Sequence, residues 1–315
     1  MTRHLLSSDD LTGAEQAALV ARAGELKKSR RDHPRSLEGR SVAMVFEKPS
    51  TRTRVSFEVA VAELGAHAVV LKTDEIQLGR GETVADTARV LSRFVDAVVI
   101  RTFGQEPLRE LAKASSVPVV NALSDFEHPC QALADVMTIG ERFGDLASVR
   151  LCYLGDGNNN VCHSLLLAGA KAGLARIEVA APWGYQPDPG ILQRAREIGE
   201  STGTEVAVSG DPAAAAADAD VLYTDVWVSM GQDADRDERL AAFRGFGLTA
   251  QRLARAAPGA IAMHCLPAHR GEEIDAEVID GPASAVWDQA ENRLHTAKAL
   301  LEWLLAGAAG GGAGR

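Results

Sequence analysis

The chain has 315 residues, of which 46% are hydrophobic and 24% charged, and its formal net charge is -10. This is an ordinary globular balance with length for about two domains. It excludes a protein built to ride on nucleic-acid phosphates, which would be basic, so any small anion must be met by a few local arginines.

In chain order, the first amphipathic and β-rich runs place strands at Val42–Phe46, Ala68–Leu71, Ala97–Arg101 and Val117–Val120. Helical periodicity lies between them: Thr51 to Leu64 with Val55 and Val59 four apart and Gly65 as a stop, then Val84, Ala88 and Leu91 on one face. A second series of strands follows at Arg150–Leu154, Arg176–Ala180, Glu205–Val208, Val221–Thr224 and Ala260–His264. Alternating β and α elements call for parallel sheets covered by helices. The expected fold is α/β, with two doubly wound parallel-sheet domains and the active site in the cleft between them.

The expected boundaries are 1–139 and 140–290, since Gly140-Glu-Arg-Phe-Gly-Asp145 is polar and glycine-bearing. A last helix, about 291–306, is expected to pack back on the first domain, and 307–315 to be a flexible tail. No apolar run approaches the ~18 residues of a membrane span, and the N-terminus lacks the apolar core of a signal peptide. Cys130, Cys152, Cys162 and Cys265 are too few for a disulfide scaffold, which points to a reducing, cytoplasmic setting. Neither Cys162-His163 nor His264-Cys265 has zinc-ligand spacing, so no metal is expected.

The most informative segment is Phe46-Glu-Lys-Pro-Ser-Thr-Arg-Thr-Arg54, which leaves a strand and opens a helix. A helix start offers free N–H groups and the positive end of the dipole, which suits phosphate. Ser50, Thr51 and Thr53 add hydroxyls, and Arg52 a planar fork. A lone Ser-Thr-Arg is an ordinary cap with surface arginines; two hydroxyl–arginine pairs in succession favour an anion. Arg101 ends a strand, where α/β proteins place ligands. His128-Pro-Cys-Gln131 opens a helix, with His128 a donor to a carbonyl and Gln131 a partner for an amide.

Ser50-Thr-Arg-Thr-Arg54 with His128-Pro-Cys-Gln131 resembles the carbamoyl phosphate signature of the transcarbamoylases, and the resemblance covers nearly the whole chain except the tail. It implies that Ser50, Thr51, Arg52 and Thr53 hold the phosphate. Arg101 bridges phosphate and carbonyl oxygen, His128 polarises the carbonyl, and Gln131 holds the carbamoyl nitrogen. Arg293, in Glu291-Asn-Arg293, is a further contact. Gln77 matches a residue that reaches into a neighbouring subunit's site, which implies a homo-oligomer, a trimer or a multiple of trimers. Catalytic roles fall on Arg52, Arg101, His128 and Cys265. The implied ligands are carbamoyl phosphate and an amine, with no cofactor, no nucleic acid and no membrane.

The second half selects the amine. Asp225-Val-Trp-Val-Ser-Met-Gly-Gln232 and His264-Cys-Leu-Pro267 both follow strand ends. Singly these read as loop residues and a core cysteine. Together they resemble the ornithine-specific branch, whereas the aspartate branch carries a His-Pro-Leu-Pro type of loop and the putrescine branch differs around Ser-Met-Gly. The resemblance gives the ornithine contacts to Asn160, Asp225, Ser229 and Met230, with Cys265 and Leu266 where the reacting amine meets the carbamoyl carbon. Asn160 is aligned because Cys162-His163-Ser164 then falls into step; Asn159 is the alternative. Asp225 is expected at the α-amino end, since its charge at the reacting amine would stabilise the unreactive ammonium. The implied reaction yields citrulline and phosphate, in arginine metabolism and most simply its synthesis. A dinucleotide-binding reading of Leu154-Gly-Asp-Gly157 lacks the third glycine, at Asn160. A non-catalytic homologue would have lost part of the double site.

Overall fold

The computed structural model describes residues 2–72, 81–229 and 233–306. Among these no helix is long and apolar enough to cross a membrane. The chain divides into two compact units, Met1–Ala134 with Asn292–Arg315, and Asp135–Glu291.

The first unit carries, in order, α1 (Gly13–Lys28), β1 (Ser41–Phe46), α2 (Thr51–Glu63), β2 (His67–Lys72), α3 (Val84–Phe94), β3 (Ala97–Arg101), α4 (Gln105–Ala114), β4 (Val119–Leu123) and the start of α5 (Pro129–Phe143). Its four strands are all parallel in the order β2-β1-β3-β4. The chain runs outward from β1 to β2 and then crosses back to β3, so the order reverses between β1 and β3. Their carboxyl ends, Phe46 and Arg101, are in register, which puts the Ser50–Arg54 turn and Arg101 at the switch point, where open α/β sheets bind ligands. Val45, Val98, Ile100, Leu108 and Leu111 form one core layer under this edge. Each such buried side chain contributes about 1.5–3 kcal/mol.

The second unit holds β5 (Arg150–Leu154), α6 (Asn160–Lys171), β6 (Arg176–Ala180), α7 (Pro189–Thr202), β7 (Glu205–Ser209), α8 (Pro212–Ala216), β8 (Val221–Thr224), α9 (Arg236–Ala242), α10 (Ala250–Leu253), β9 (Ile261–His264), α11 (Ala276–Ile279) and the start of α12 (Val286–Ala306). Its parallel sheet has the order β7-β6-β5-β8-β9, reversing between β5 and β8. The loops after Leu154 and Thr224 therefore share its switch point, and the loop after His264 lies one strand further out.

Most strands begin and end within a residue or two of the expected positions. β4 is displaced, running Val119–Leu123 rather than Val117–Val120. Ser115 Oγ bonds both the N–H and the carbonyl of Val117, which folds that residue into a turn. The strand continues through fully buried Asn121, whose amide donates to the Leu6 carbonyl. Leu5 pairs alongside Val120 and covers this edge.

Candidate active site

In the first unit, Ser50 caps α2: its hydroxyl accepts the Thr53 N–H at 3.2 Å. Thr51 and Arg52 are exposed, as an anion cradle requires, while Thr53 points inward and is 2% exposed. Two residues absent from the sequence reading brace the turn. Glu47 accepts from the Thr102 hydroxyl, and its N–H donates to the Arg101 carbonyl at 2.9 Å. Lys48 is buried, paired with Asp125, and lies 4.3 Å over the Phe103 ring. Both sit inside the Glu47-Lys48 step of the motif, whose position against the β3 end could have flagged them.

Arg293 reaches into the same unit. Its guanidinium donates to Gln131 Oε1 at 2.6 Å and to Thr53 Oγ1 at 3.2 Å, and lies 3.5 Å from His128 Nε2. Arg101, His128, Gln131 and Arg293 are all at least nine-tenths buried. Burial first, and then the charges of Arg293, Arg101 and Arg52, hold the His128 imidazole well below its ordinary range. It is therefore neutral at neutral pH, able to donate one hydrogen bond without adding charge. Thr53, His128, Gln131 and Arg293 thus lie together, and Arg101 and Arg52 are close enough for their charges to act on His128. Gln77 lies outside the described residues.

In the second unit, Asp225 follows β8 and Cys265 follows β9. The thiol donates to Asp225 Oδ1 at 3.0 Å, and Asn159 Nδ2 donates to Oδ2 at 3.1 Å. The Val226 N–H also donates to Oδ1, at 2.8 Å. Asn159 caps α6, its side-chain Oδ1 accepting the Val161 N–H at 2.7 Å while its Nδ2 reaches Asp225. Asn160 begins α6, half-buried, and Ser229 and Leu266 are half-buried too. Met230 lies outside the described residues. Arg239, also unforeseen, pairs with Asp156 and donates to the Trp227 carbonyl at 2.7 Å, tying the two switch-point loops.

Asp225, His264 and Cys265 offer ligand atoms within 4.8 Å of one another, the kind of set a metal uses. Here they serve the protein: His264 Nδ1 accepts the Leu266 N–H at 2.9 Å, its Nε2 faces Glu273 at 3.2 Å, and the thiol meets Asp225. One finding differs from expectation in its consequence. Asp225 is expected at the α-amino end of the acceptor, away from Cys265, yet the two side chains are in contact.

Apart from Arg293, which falls in the second match, the two sets of residues fall in two matched domains of one family. The description "Aspartate/ornithine carbamoyltransferase, carbamoyl-P binding domain" matches residues 3–141, and "Aspartate/ornithine carbamoyltransferase, Asp/Orn binding domain" matches residues 147–304. The chain belongs to the aspartate/ornithine carbamoyltransferase family. It is 62% identical over 313 residues to the ornithine carbamoyltransferase of Acidothermus cellulolyticus, covering 99% of each chain. The solved ornithine carbamoyltransferase from Pyrococcus furiosus superposes with a TM-score of 0.93 at 50% identity, over 97% of each chain. The anabolic ornithine carbamoyltransferase from Campylobacter jejuni gives 0.91 at 39% identity, over 96% of this chain and 99% of that one. At such identity over nearly its whole length, the chain is a carbamoyltransferase.

Proposed function

We propose that this carbamoyltransferase moves the carbamoyl group of carbamoyl phosphate to the side-chain amine of L-ornithine, giving L-citrulline and phosphate. The observation that carries the choice of acceptor is the Asp225–Cys265 contact at a strand end. A buried carboxylate there favours an acceptor rich in ammonium groups and opposes aspartate, whose side chain is anionic. The named relatives support the same choice.

In this reading Ser50, Thr51, Arg52 and Thr53 take the phosphate, and Arg101, His128, Gln131, Arg293 and Leu266 surround the carbamoyl group. Asn160, Asp225, Ser229 and Met230 take ornithine. The amine must be neutral to attack. With a lysine-like pKa of ~10.4, freeing it at neutral pH costs about 4–5 kcal/mol, and desolvation beside Cys265 lowers that cost. As charge grows on the carbonyl oxygen, Arg101, neutral His128 and Thr53 stabilise it, by roughly 3–4 kcal/mol each at best. Arg52 steadies the leaving phosphate, which accepts the amine's proton, so no protein base or covalent intermediate enters.

The direction we propose is synthesis, toward arginine in the cytoplasm, because carbamoyl phosphate is the activated partner and the similar Campylobacter protein is anabolic. We also propose a trimer or a multiple of trimers; in the first unit Phe94 is 75% and Val55 51% exposed, apolar surface of the kind subunits cover.

The test is a ureido-product assay with carbamoyl phosphate and L-ornithine, aspartate, putrescine or N-acetylornithine. Turnover with ornithine alone is expected. A site built to bond the α-groups should discriminate against putrescine by about 10⁴. Turnover with another amine would overturn the reading of Asp225 to Gly231, and carbamoyl phosphate binding without any turnover would establish a non-catalytic homologue.

A further inference from the structure

We propose that Gln289, held by Asp135 and Tyr223, is a positioning residue for the acceptor half of the site: it fixes the end of β9 so that the Cys265 thiol meets Asp225. The proposal rests on the reading of Cys265 and Asp225 given above.

β9 is an edge strand, so one row of its backbone groups faces away from β8. That row is satisfied at Ala262, which accepts from the Ala285 N–H and donates to the Ala283 carbonyl, both at 2.9 Å. Two residues on, the N–H of His264 points the same way and meets the side chain of Gln289 instead, whose Oε1 accepts it at 3.0 Å. An unmet N–H there would be costly, since His264 is 1% exposed.

The orientation of the Gln289 amide is not free. Its Nε2 donates to Asp135 Oδ1 at 2.8 Å and to the Tyr223 hydroxyl at 3.0 Å, and that hydroxyl donates to Asp135 Oδ2 at 3.1 Å. With the carboxyl accepting on both oxygens, the amide nitrogen must face Asp135 and the amide oxygen must face His264. All three side chains are buried, at 0–1% exposure, and Tyr223 stacks on Tyr153 at 5.7 Å.

The cluster grips both strands that present the acceptor groups. Tyr223 lies two residues before Asp225 on β8, and His264 directly precedes Cys265 on β9. Thr224 and His264 are register partners across the two strands. A shift of the β9 end would move Cys265 Sγ away from its 3.0 Å contact with Asp225, whereas the phosphate residues Ser50, Thr51, Arg52 and Thr53, with Arg101 and His128, belong to the other unit.

Two variants and three readouts test this in the full chain. Gln289→Met keeps length and loses both bonding ends. It should raise the KM for ornithine about tenfold or more, the loss expected when a buried hydrogen bond is broken on one side. Carbamoyl phosphate affinity should stay within about twofold. Because Cys130, Cys152 and Cys162 are buried and Cys265 is half-exposed, iodoacetamide reports on Cys265, and its rate should change at least threefold. Gln289→Glu keeps the acceptor for His264 but sets a second carboxyl against Asp135; its ornithine KM should approach that of the parent protein as pH falls from 8 to 6 and the pair takes up a proton. Should Gln289→Met not fold, Tyr223→Phe, which deletes one hydroxyl, carries the test with a smaller shift in the same parameters. Equal losses for both substrates, or unchanged ornithine KM and alkylation in a folded variant, would overturn the proposal. If the parent protein does not use ornithine, the acceptor reading fails, yet the alkylation rate still decides whether Gln289 positions Cys265.

Discussion

Replacing Arg293 by methionine removes a buried fork while keeping a flexible apolar stem in its place. Two of its bonds set the scale of the cost. The bond to Gln131 at 2.6 Å and the bond to Thr53 at 3.2 Å are both charge-assisted and buried, and such bonds contribute about 1.5–3 kcal/mol each. Because the longer bond is weaker and the vacated space admits water, a total of about 2–4 kcal/mol follows. Urea unfolding followed by circular dichroism measures it. A cycle with Gln131→Met isolates the shorter bond, for which a coupling of at least about 1 kcal/mol is expected. The substitution also removes one of the three cations acting on His128. The imidazole pKa should rise, but remain below its ordinary value because burial is the larger cause, and nitrogen-15 NMR of the labelled ring reads this directly. A stability loss under about 0.5 kcal/mol with no coupling, or an unmoved His128 titration, would refute this account of the cluster.

Arg52→Gly should abolish turnover with the fold intact, since Arg52 is exposed at the start of α2 and braces no core; an unchanged rate in a standard assay would remove it from the phosphate site. Cys265→Ala should weaken ornithine more than carbamoyl phosphate, as separate calorimetric titrations of the two would show. Turnover at saturating carbamoyl phosphate should climb from pH 7 toward alkaline values as the amine deprotonates, and a falling profile would contradict attack by the free amine. Stability should respond to His128 in the opposite region. Its folded pKa lies below the unfolded value, so the unfolded chain takes the proton first, and stability is lost as pH falls below ~6.5, at up to about 1.36 kcal/mol per pH unit until the folded pKa is reached. His128→Gln should flatten that slope in chemical denaturation.

What the sequence disclosed follows from what is local in it. The ends of β3, β5, β6 and β8 coincide with the expected runs because parallel strands buried on both faces are short apolar stretches with abrupt polar ends. The same reasoning displaced β4, where polar Asn121 interrupts the apolar run but is bonded inside the fold. Arg52, His128 and Asp225 were visible because each belongs to a motif at a strand end or helix start. Gln289, Glu47 and Arg239 were not. Each acts on a residue far along the chain, Gln289 on His264 and Arg239 on Asp156, and a side chain satisfying a distant backbone or carboxyl group leaves no periodic mark. The Asn158-Asn159-Asn160 run shows the limit plainly: alignment on Cys162-His163-Ser164 favours Asn160 with Asn159 as the alternative, and the helix start at Asn160 makes Asn159 a cap that reaches Asp225.

That cap bears on how a carboxylate can sit against Cys265 without trapping the acceptor as an ammonium. Among the described residues, Asp225 accepts from Asn159, Cys265 and its neighbour's N–H. Each withdraws part of its charge from an incoming amine. Asn159→Asp separates this effect from helix capping, because aspartate caps as well as asparagine and keeps the bond to the Val161 N–H. The variant loses the donor to Asp225 and sets two carboxyls side by side, so one of the pair must have a raised pKa. A folded pKa above the unfolded ~3.9 means that the penalty appears above pH 3.9 and grows until the raised value is passed. The variant should therefore match the parent protein's stability in acid and fall behind it toward neutrality. Its ornithine affinity at neutral pH should fall about tenfold, the usual scale for one buried, charge-assisted bond lost. Calorimetric ornithine titrations at pH 6 and 8, beside denaturation at the same values, decide the matter. Parent-like affinity at both would mean that Asp225 does not depend on Asn159, and that other donors, among them the thiol and the Val226 N–H, manage the carboxylate's charge.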